Sequence, residues 1–175
     1  MFEFFKNIIL FLNENAIEYM LSGSVALSVY TLPRATRDFD FIVHLNPGHV
    51  SALVNHFKEG YYCDEDSVRE AVNNKSLFNI IDYHSGYKAD FVILKEEVFR
   101  QTEFRRRQKI ILYDLPVYIV SPEDLLISKL IWIQDYQSNL HIDDIKNLIT
   151  LDSIDKLYIN DWIQKLKLNT FDILE

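Results

Sequence analysis

The sequence predicts an α+β domain in which one mixed β-sheet is covered by helices. Apolar, strand-forming segments occur in the first two-thirds of the chain, and helical patterns fill the last third. Two of these segments, SLFNIIDY and YKADFVIL, flank the turn HSG, which is typical of a β-hairpin. Because 175 residues, 49% of them hydrophobic, suit one compact domain, we expect a single domain over 1–175, with a sheet-containing core over 1–120 and a helical part over 121–175.

The first element is predicted to be an amphipathic helix that packs on the core. Phe2, Phe5, Ile9 and Leu12 recur at helical spacing. The uninterrupted apolar run, residues 8–12, is too short for a secretion signal or a membrane span, so we expect no membrane role.

The elements that follow alternate between strands and helices. Expected strands cover residues 17–21, 39–45, 76–83, 87–94, 109–114 and 116–120, and expected helices cover 25–30, 46–58, 66–73 and 95–104. The last two strands should meet at a turn around Leu115 and Pro116. Ser121, as N-cap, and Pro122, at the first helical position, then begin the helices that close the chain.

Charge and cysteine content narrow the function classes. A net charge of −8 argues against a protein that holds nucleic acid by general electrostatics. The one basic concentration comprises Arg100, residues 105–107 and Lys109, and two interpretations stay open: a solvated hairpin whose arginines alternate faces, or a contact for an RNA acceptor or a triphosphate. Cys63 is the only cysteine, which excludes a disulfide within the chain and predicts a reducing, cytoplasmic location.

Three carboxylates lie on predicted strands. Asp38 and Asp40 are two residues apart and therefore share one strand face, whereas Asp90 interrupts the apolar segment KADFVILK. One interpretation is a solvated edge with salt bridges to Arg34 and Arg37. The other is a cation site, because converging carboxylates repel one another and oxygen ligands suit Mg²⁺ or Mn²⁺.

A Gly-Ser pair lies just upstream of the acidic strand. Gly23 and Ser24 stand between a predicted strand and a predicted helix. The pair is either a plain turn or a phosphate site, since the start of a helix presents free N–H groups and the positive end of the helix dipole.

These motifs together resemble the nucleotidyltransferase superfamily related to DNA polymerase β. That pattern is Gly-Gly or Gly-Ser, a short spacer, acid-hydrophobic-acid and a third acid on a later strand, which GSVALSVYTLPRATRDFDFIV and GYKADFVIL match. Within the superfamily the chain is similar to small bacterial AbiEii-type proteins, whose Pro-Arg-x-Thr-x-Asp-h-Asp, Ser-Gly-x-Lys-x-Asp, Arg-rich and SPEDL segments occur here in order.

The resemblance implies a role for each matching residue. Asp38, Asp40 and Asp90 would be catalytic and would hold Mg²⁺ or Mn²⁺, while Asp90 would also help to bring an acceptor hydroxyl in line with the α-phosphate. The nucleoside triphosphate would be held by further residues. These are Gly23, Ser24, Arg34 and Lys129. Asp144 matches a later acid of the family.

The activity implied is transfer of a nucleoside monophosphate from a triphosphate to an unknown acceptor, with release of pyrophosphate. An RNA such as tRNA, or a protein, could be the acceptor. The alternative is a catalytically inert nucleotide-binding or regulatory module that keeps the fold, in the setting of a toxin-antitoxin pair with a cognate antitoxin as partner.

Overall fold

The computed structural model describes residues 1–33 and 35–174, and the chain divides into two compact units. The first, which we call the sheet unit, contains residues 1–25 and 35–120. The second, the helical unit, contains the described residues of 26–34 and 121–175. All seven strands that the structure describes belong to the sheet unit, whereas the short segment 26–33 belongs to the helical unit.

The sheet unit is built on one mixed sheet of seven strands. In chain order they are β1 Tyr19–Ser22, β2 Asp38–Val43, β3 Tyr61–Tyr62, β4 Leu77–Asp82, β5 Lys88–Ile93, β6 Gln108–Leu112 and β7 Leu115–Ile119. Their order across the sheet is β3-β4-β5-β2-β1-β7-β6. The pairs β2–β5 and β1–β7 are parallel and the other pairs are antiparallel, so β5 and β2 lie side by side at the centre.

Eight α-helices accompany the sheet in the described residues. They are α1 Phe2–Glu14, α2 Gly23–Tyr30, α3 Val50–His56, α4 Glu65–Asn74, α5 Val98–Arg105, α6 Pro122–Asp135, α7 Asn139–Ile149 and α8 Lys156–Leu166. Helix α2 begins in the sheet unit and continues into the helical unit, to which α6, α7 and α8 belong. Ser121 caps α6 as predicted, because its side chain accepts the N–H of Asp124.

Alternation along the central strands gives the sheet one buried face. Phe41 stacks on Phe91 with ring centroids 5.4 Å apart, and Phe91 stacks on Phe78 at 5.0 Å. Phe5 of α1 packs over Phe39 at 5.2 Å. Aromatic pairs of this kind contribute roughly 0.5–1.5 kcal/mol each beyond the area they bury. Because side chains alternate along a strand, the residues that alternate with these phenylalanines project from the other face of the sheet.

Three local expectations were wrong. Strand β3 was not predicted, because a two-residue strand carries no periodic signal. The turn of the last hairpin lies at Tyr113 and Asp114, with φ of 51° and 61°, rather than at Leu115 and Pro116. A two-residue hairpin turn of type I′ has left-handed φ at both positions, and Pro116 instead pairs with Ile111 inside the ladder.

The third concerns the consecutive arginines 105–107, which lie at the end of helix α5 and just after it rather than on a strand. Arg105 is the last residue of α5 and Arg106 follows as its C-cap. The predicted alternation of arginines between two strand faces therefore does not occur. No helix of residues 1–33 and 35–174 combines the length and apolarity needed to cross a membrane.

Candidate active site

The register of β2 against β5 places four charged residues on one face of the sheet. Asp38 lies beside Lys88 and Asp40 lies beside Asp90 in the parallel ladder. Residues paired in register share a face, and neighbouring strands are separated by about 4.8 Å. Phe39, between the two aspartates of β2, is buried on the other face. The two strand motifs are thus brought together at the centre of the sheet.

The ammonium group of Lys88 lies among these carboxylates. Its Nζ donates to Asp90 Oδ2 at 2.8 Å and lies 4.0 Å from Asp38 Oδ1. The hydrogen bond to Asp90 is the largest effect and raises the pKa of Lys88 above its ordinary value; burial opposes it, and the charges of Asp90, Asp38 and Asp40 each add a smaller increase. This face of the sheet is therefore a place where a positive charge is stabilised.

One carboxylate oxygen of Asp90 accepts no hydrogen bond from the described residues. Its Oδ1 is buried and has no hydrogen-bond partner among the described residues, whereas its Oδ2 accepts from Lys88. Asn79 of β4 lies opposite Asp90 on its other side. An unsatisfied buried acceptor costs about 1–3 kcal/mol, and a bound cation or a donated proton would remove that cost.

Gly23 positions Asp40. The glycine has φ of 60°, and the Asp40 side chain lies so close that a Cβ built on Gly23 would overlap its carboxylate and approach its Cβ to 2.8 Å. A side chain at position 23 would thus meet both backbone strain and a steric clash. Gly23 and Ser24 are the first residues of α2, not a turn before it as the sequence suggested, so Asp40 lies against the start of a helix.

Two further residues, Arg34 and Lys129, are predicted to bind nucleotide. Arg34 falls outside the described residues. Lys129 is on α6 in the helical unit, where its Nζ donates to Asp144 Oδ2 at 2.7 Å. The two side chains are only 8% and 4% exposed. Lys129 and Asp144 therefore form an enclosed ion pair, and their proposed part in nucleotide binding stays a prediction.

The arginines of the basic segment have partners inside the sheet unit. Arg107 donates to Glu18 at 2.7 Å and its guanidinium lies 4.3 Å from the ring centre of Phe104. Arg100 pairs at 3.0 Å with Glu103, whose side chain is 1% exposed. These contacts give the two arginines a structural role, and none of them points to RNA.

Lys88 and Asn79 are the residues that the sequence interpretation passed over. Lys88 was recognised as part of the Ser-Gly-x-Lys-x-Asp segment but was given no function. The available signal was its spacing, because a residue two positions before Asp90 on a strand must share its face. Asn79 could be placed only once the hairpin register was known.

The donor set can be compared with the needs of a divalent cation. No group of three or more His, Cys, Asp or Glu in residues 1–33 and 35–174 is arranged as a metal-binding cluster. The carboxylate chemistry nevertheless suits Mg²⁺ or Mn²⁺, and Asp90 Oδ1 is a buried acceptor that none of the described residues donates to. A cation in contact with that oxygen would also meet the Lys88 ammonium bound to the same carboxylate.

Solved structures with the same fold are nucleotidyltransferases and one nucleotidyltransferase-like protein. The antibiotic-resistance protein ANT(2'')-Ia in complex with adenylyl-2''-tobramycin is 12% identical with a TM-score of 0.64, over 94% of this chain and 95% of that chain. The lincosamide antibiotic adenylyltransferase LnuA, bound to lincomycin, is 15% identical with a TM-score of 0.55, over 82% and 93% of the two chains. An antigenic nucleotidyltransferase-like protein from Paracoccidioides brasiliensis is 16% identical with a TM-score of 0.50, over 90% and 84%.

Neither a family model nor a curated protein sequence matches this chain. The AbiEii-type resemblance therefore stays a prediction. The structural likeness, together with the seven-stranded mixed sheet, shows that the chain has a nucleotidyltransferase-like fold.

Proposed function

We propose that this protein is a metal-dependent nucleotidyltransferase that moves a nucleoside monophosphate from a nucleoside triphosphate to an acceptor hydroxyl. The observation that carries the proposal is the parallel register that sets Asp40 beside Asp90, with Asp40 packed on Gly23 at the start of α2. One strand pair and one helix start thus supply carboxylates and backbone N–H groups to the same part of the sheet unit.

Asp38, Asp40 and Asp90 are the residues that would hold the cation. A bound Mg²⁺ or Mn²⁺ would neutralise phosphate charge and stabilise the pyrophosphate leaving group. Asp90 Oδ1, which is buried and has no partner in the part of the chain that the structure describes, is the atom suited to accept the proton of the acceptor hydroxyl. The bond from the acceptor oxygen to the α-phosphorus then forms as the bond from the α-phosphorus to the bridging oxygen of pyrophosphate breaks.

Gly23 and Ser24 are proposed to bind the triphosphate through their backbone. The first turn of α2 has N–H groups that no residue of the helix accepts, and the helix dipole favours an anion there. The missing side chain at Gly23 lets a phosphate approach the backbone closely. Arg34 remains a proposed nucleotide contact on sequence grounds alone.

Ligand-dependent stability tests this proposal. A nucleoside triphosphate with Mg²⁺ at a hundredfold above its dissociation constant should stabilise the wild-type protein by about 2.7 kcal/mol, a rise in melting temperature on the order of 5 °C or more. The double variant Asp38→Asn with Asp40→Asn should lose this response. Its stability without ligand should be unchanged or slightly higher, because Lys88 keeps its contact with Asp90 and repulsion between carboxylates is relieved.

A double variant at two exposed acids controls for the change in net charge. Glu59→Gln with Glu70→Gln removes the same charge from the surface of the sheet unit and should leave the ligand response intact. A wild-type protein that does not respond to any nucleotide, together with an Asp38 and Asp40 variant that melts lower, would make the carboxylates structural and overturn the proposal.

Turnover distinguishes the enzyme from an inert binding module. Pyrophosphate release should require Mg²⁺ or Mn²⁺, a triphosphate and an acceptor, and should vanish in Asp90→Asn. The acceptors to screen are hydroxyl-bearing antibiotics, as the names of ANT(2'')-Ia and LnuA suggest, tRNA and protein. Nucleotide-dependent stabilisation without pyrophosphate release for any acceptor would favour the inert module.

A further inference from the structure

Lys88 is held in the carboxylate face by two features of the sheet. It lies two residues before Asp90 on β5, so both side chains project from the same face. It also lies directly beside Asp38 in the parallel ladder. The backbone hydrogen bond from Lys88 N to the carbonyl of Arg37 helps to fix this register at the start of the strand.

The ammonium group of Lys88 is bound to Asp90, a carboxylate that is also proposed to bind the divalent cation. Lys88 Nζ is 2.8 Å from Asp90 Oδ2, which is direct ion-pair contact. A divalent ion on the same carboxylate would be repelled by an ammonium at that distance. The two positive charges therefore compete for Asp90, and binding of one weakens binding of the other.

Lys88 is also able to move. Its side chain is 35% exposed and carries its charge on four flexible carbon atoms, in contrast to the enclosed side chain of Lys129. A partly exposed lysine that releases its partner regains hydration of its charge, so the ammonium group is not left buried without a partner.

We infer that Lys88 is a positioning residue that serves as the internal counter-ion of Asp38, Asp40 and Asp90, and that it leaves Asp90 when a divalent cation binds. The inference rests on the proposed function, since it concerns the same carboxylates. Lys88 thus has two effects. Without metal it stabilises the neighbouring carboxylates, and it lowers the affinity of these carboxylates for a divalent cation.

The test is a calorimetric titration with Mn²⁺ alone. Lys88→Met, which keeps an unbranched side chain one atom shorter and removes the charge, should bind Mn²⁺ about fivefold more tightly than the wild type, equivalent to about 1 kcal/mol at 25 °C. Lys88→Arg retains the charge and should keep the wild-type affinity within about twofold. Lys58→Met removes an exposed lysine outside the strands and should leave the affinity unchanged.

Each outcome of the titration decides the matter. Equal or weaker Mn²⁺ binding by Lys88→Met, while the wild type binds, would overturn the counter-ion role and leave the proposed metal site standing. If neither the wild type nor Lys88→Met binds Mn²⁺, so that both behave like the double variant Asp38→Asn with Asp40→Asn, the proposed metal site and the counter-ion role are overturned together.

A melting experiment keeps the inference testable if Lys88→Met is poorly folded without metal. The variant should then melt below the wild type in chelator, and saturating Mn²⁺ should raise its melting temperature more than that of the wild type. A variant that stays destabilised by the same amount in saturating Mn²⁺ would show that Lys88 contributes packing rather than charge, and would overturn the inference.

Discussion

The two units of the molecule each contain a lysine bonded to an aspartate, and the two pairs differ in their surroundings. In the helical unit Lys129 and Asp144 are 2.7 Å apart and almost fully enclosed. In the sheet unit Lys88 and Asp90 are 2.8 Å apart, but their side chains are 35% and 23% exposed and Asp38 lies only 4.0 Å from the same ammonium. Similar distances therefore occur in very different electrostatic settings.

This difference in exposure separates the two pairs: Lys129 with Asp144 is a fixed structural pair, whereas Lys88 with Asp90 is a pair whose lysine can be exchanged for another cation. An enclosed pair cannot lose one member without leaving a buried charge, which makes it a fixed part of the packing. A half-exposed lysine can return to water at little cost. Asp90 also keeps a buried oxygen without a partner in the described structure, so the sheet pair has unused capacity for a cation.

The largest effect that tests this comparison is the loss of Lys129. Lys129→Met should lower the free energy of unfolding by about 3–5 kcal/mol, because the buried carboxylate of Asp144 loses the ammonium group that donates to it. Lys88→Met should lower it by less than about 1 kcal/mol in the absence of metal. Urea unfolding followed by circular dichroism measures both values.

A double variant separates charge from packing in the helical unit. Lys129→Met with Asp144→Leu removes both charges and should regain much of the stability that Lys129→Met loses. Equal destabilisation by Lys129→Met and Lys88→Met would contradict the distinction between the two pairs.

An intermediate effect on stability is expected at Gly23, for which Gly86 serves as a matched control. Gly23 and Gly86 have φ of 60° and 70°, so alanine meets similar backbone strain of about 1–2 kcal/mol at both. Nothing lies within 4 Å of a Cβ at Gly86, whereas a Cβ at Gly23 overlaps Asp40. Gly23→Ala should therefore be the more destabilising change, by about 1–3 kcal/mol over Gly86→Ala.

The two glycine variants should also differ in ligand response. Gly86→Ala should keep the stabilisation by Mg²⁺ and nucleoside triphosphate, while Gly23→Ala should lose it, since Asp40 must move and the helix start is blocked. Thermal melts with and without ligand measure this. Equal responses in the two variants would show that the contact between Gly23 and Asp40 does not position the site.

The sequence was sufficient for the parts of the fold and site that depend on local pattern. The alternation around Asp38 and Asp40 correctly placed both on one strand face, and Ser121 with Pro122 correctly marked the start of α6. Pairing across the sheet could not be obtained this way. Strand β5 is the parallel neighbour of β2, and this pairing sets Asp90 beside Asp40. The pairing depends on how the whole sheet assembles, and no local pattern in the sequence encodes it.

Side-chain partners over long sequence separations were equally out of reach. Lys129 and Asp144 are 15 residues apart on different helices, and only the packing of α6 on α7 makes them an enclosed pair. Arg107 and Glu18 are 89 residues apart, so the arginine-rich segment looked like a basic patch in the sequence. In both cases tertiary packing decided whether a charge is solvated or paired.

The smallest expected effect concerns the pair of Arg107 with Glu18, in which the side chain of the glutamate is 56% exposed and that of the arginine 15%. The hydrogen bond from Arg107, helped by His44, lowers the pKa of Glu18 from its ordinary value of 4.5. A lowered pKa in the folded state means that the stabilisation is present above pH 4.5 and is lost as the pH falls through the folded value. Because the Glu18 side chain is 56% exposed, Glu18→Gln should cost less than about 1 kcal/mol near neutral pH.

Urea unfolding of the wild type and Glu18→Gln at pH 7, 5, 4 and 3 measures this contribution, with Glu14→Gln as the control at an exposed acid of α1. The difference between the wild type and Glu18→Gln should shrink toward zero below pH 4.5. A difference that stays constant with pH would assign the loss to packing instead of charge. A cost as large as that of Lys129→Met would contradict the argument from exposure, and with it the reason for treating Lys88 as exchangeable and Lys129 as fixed.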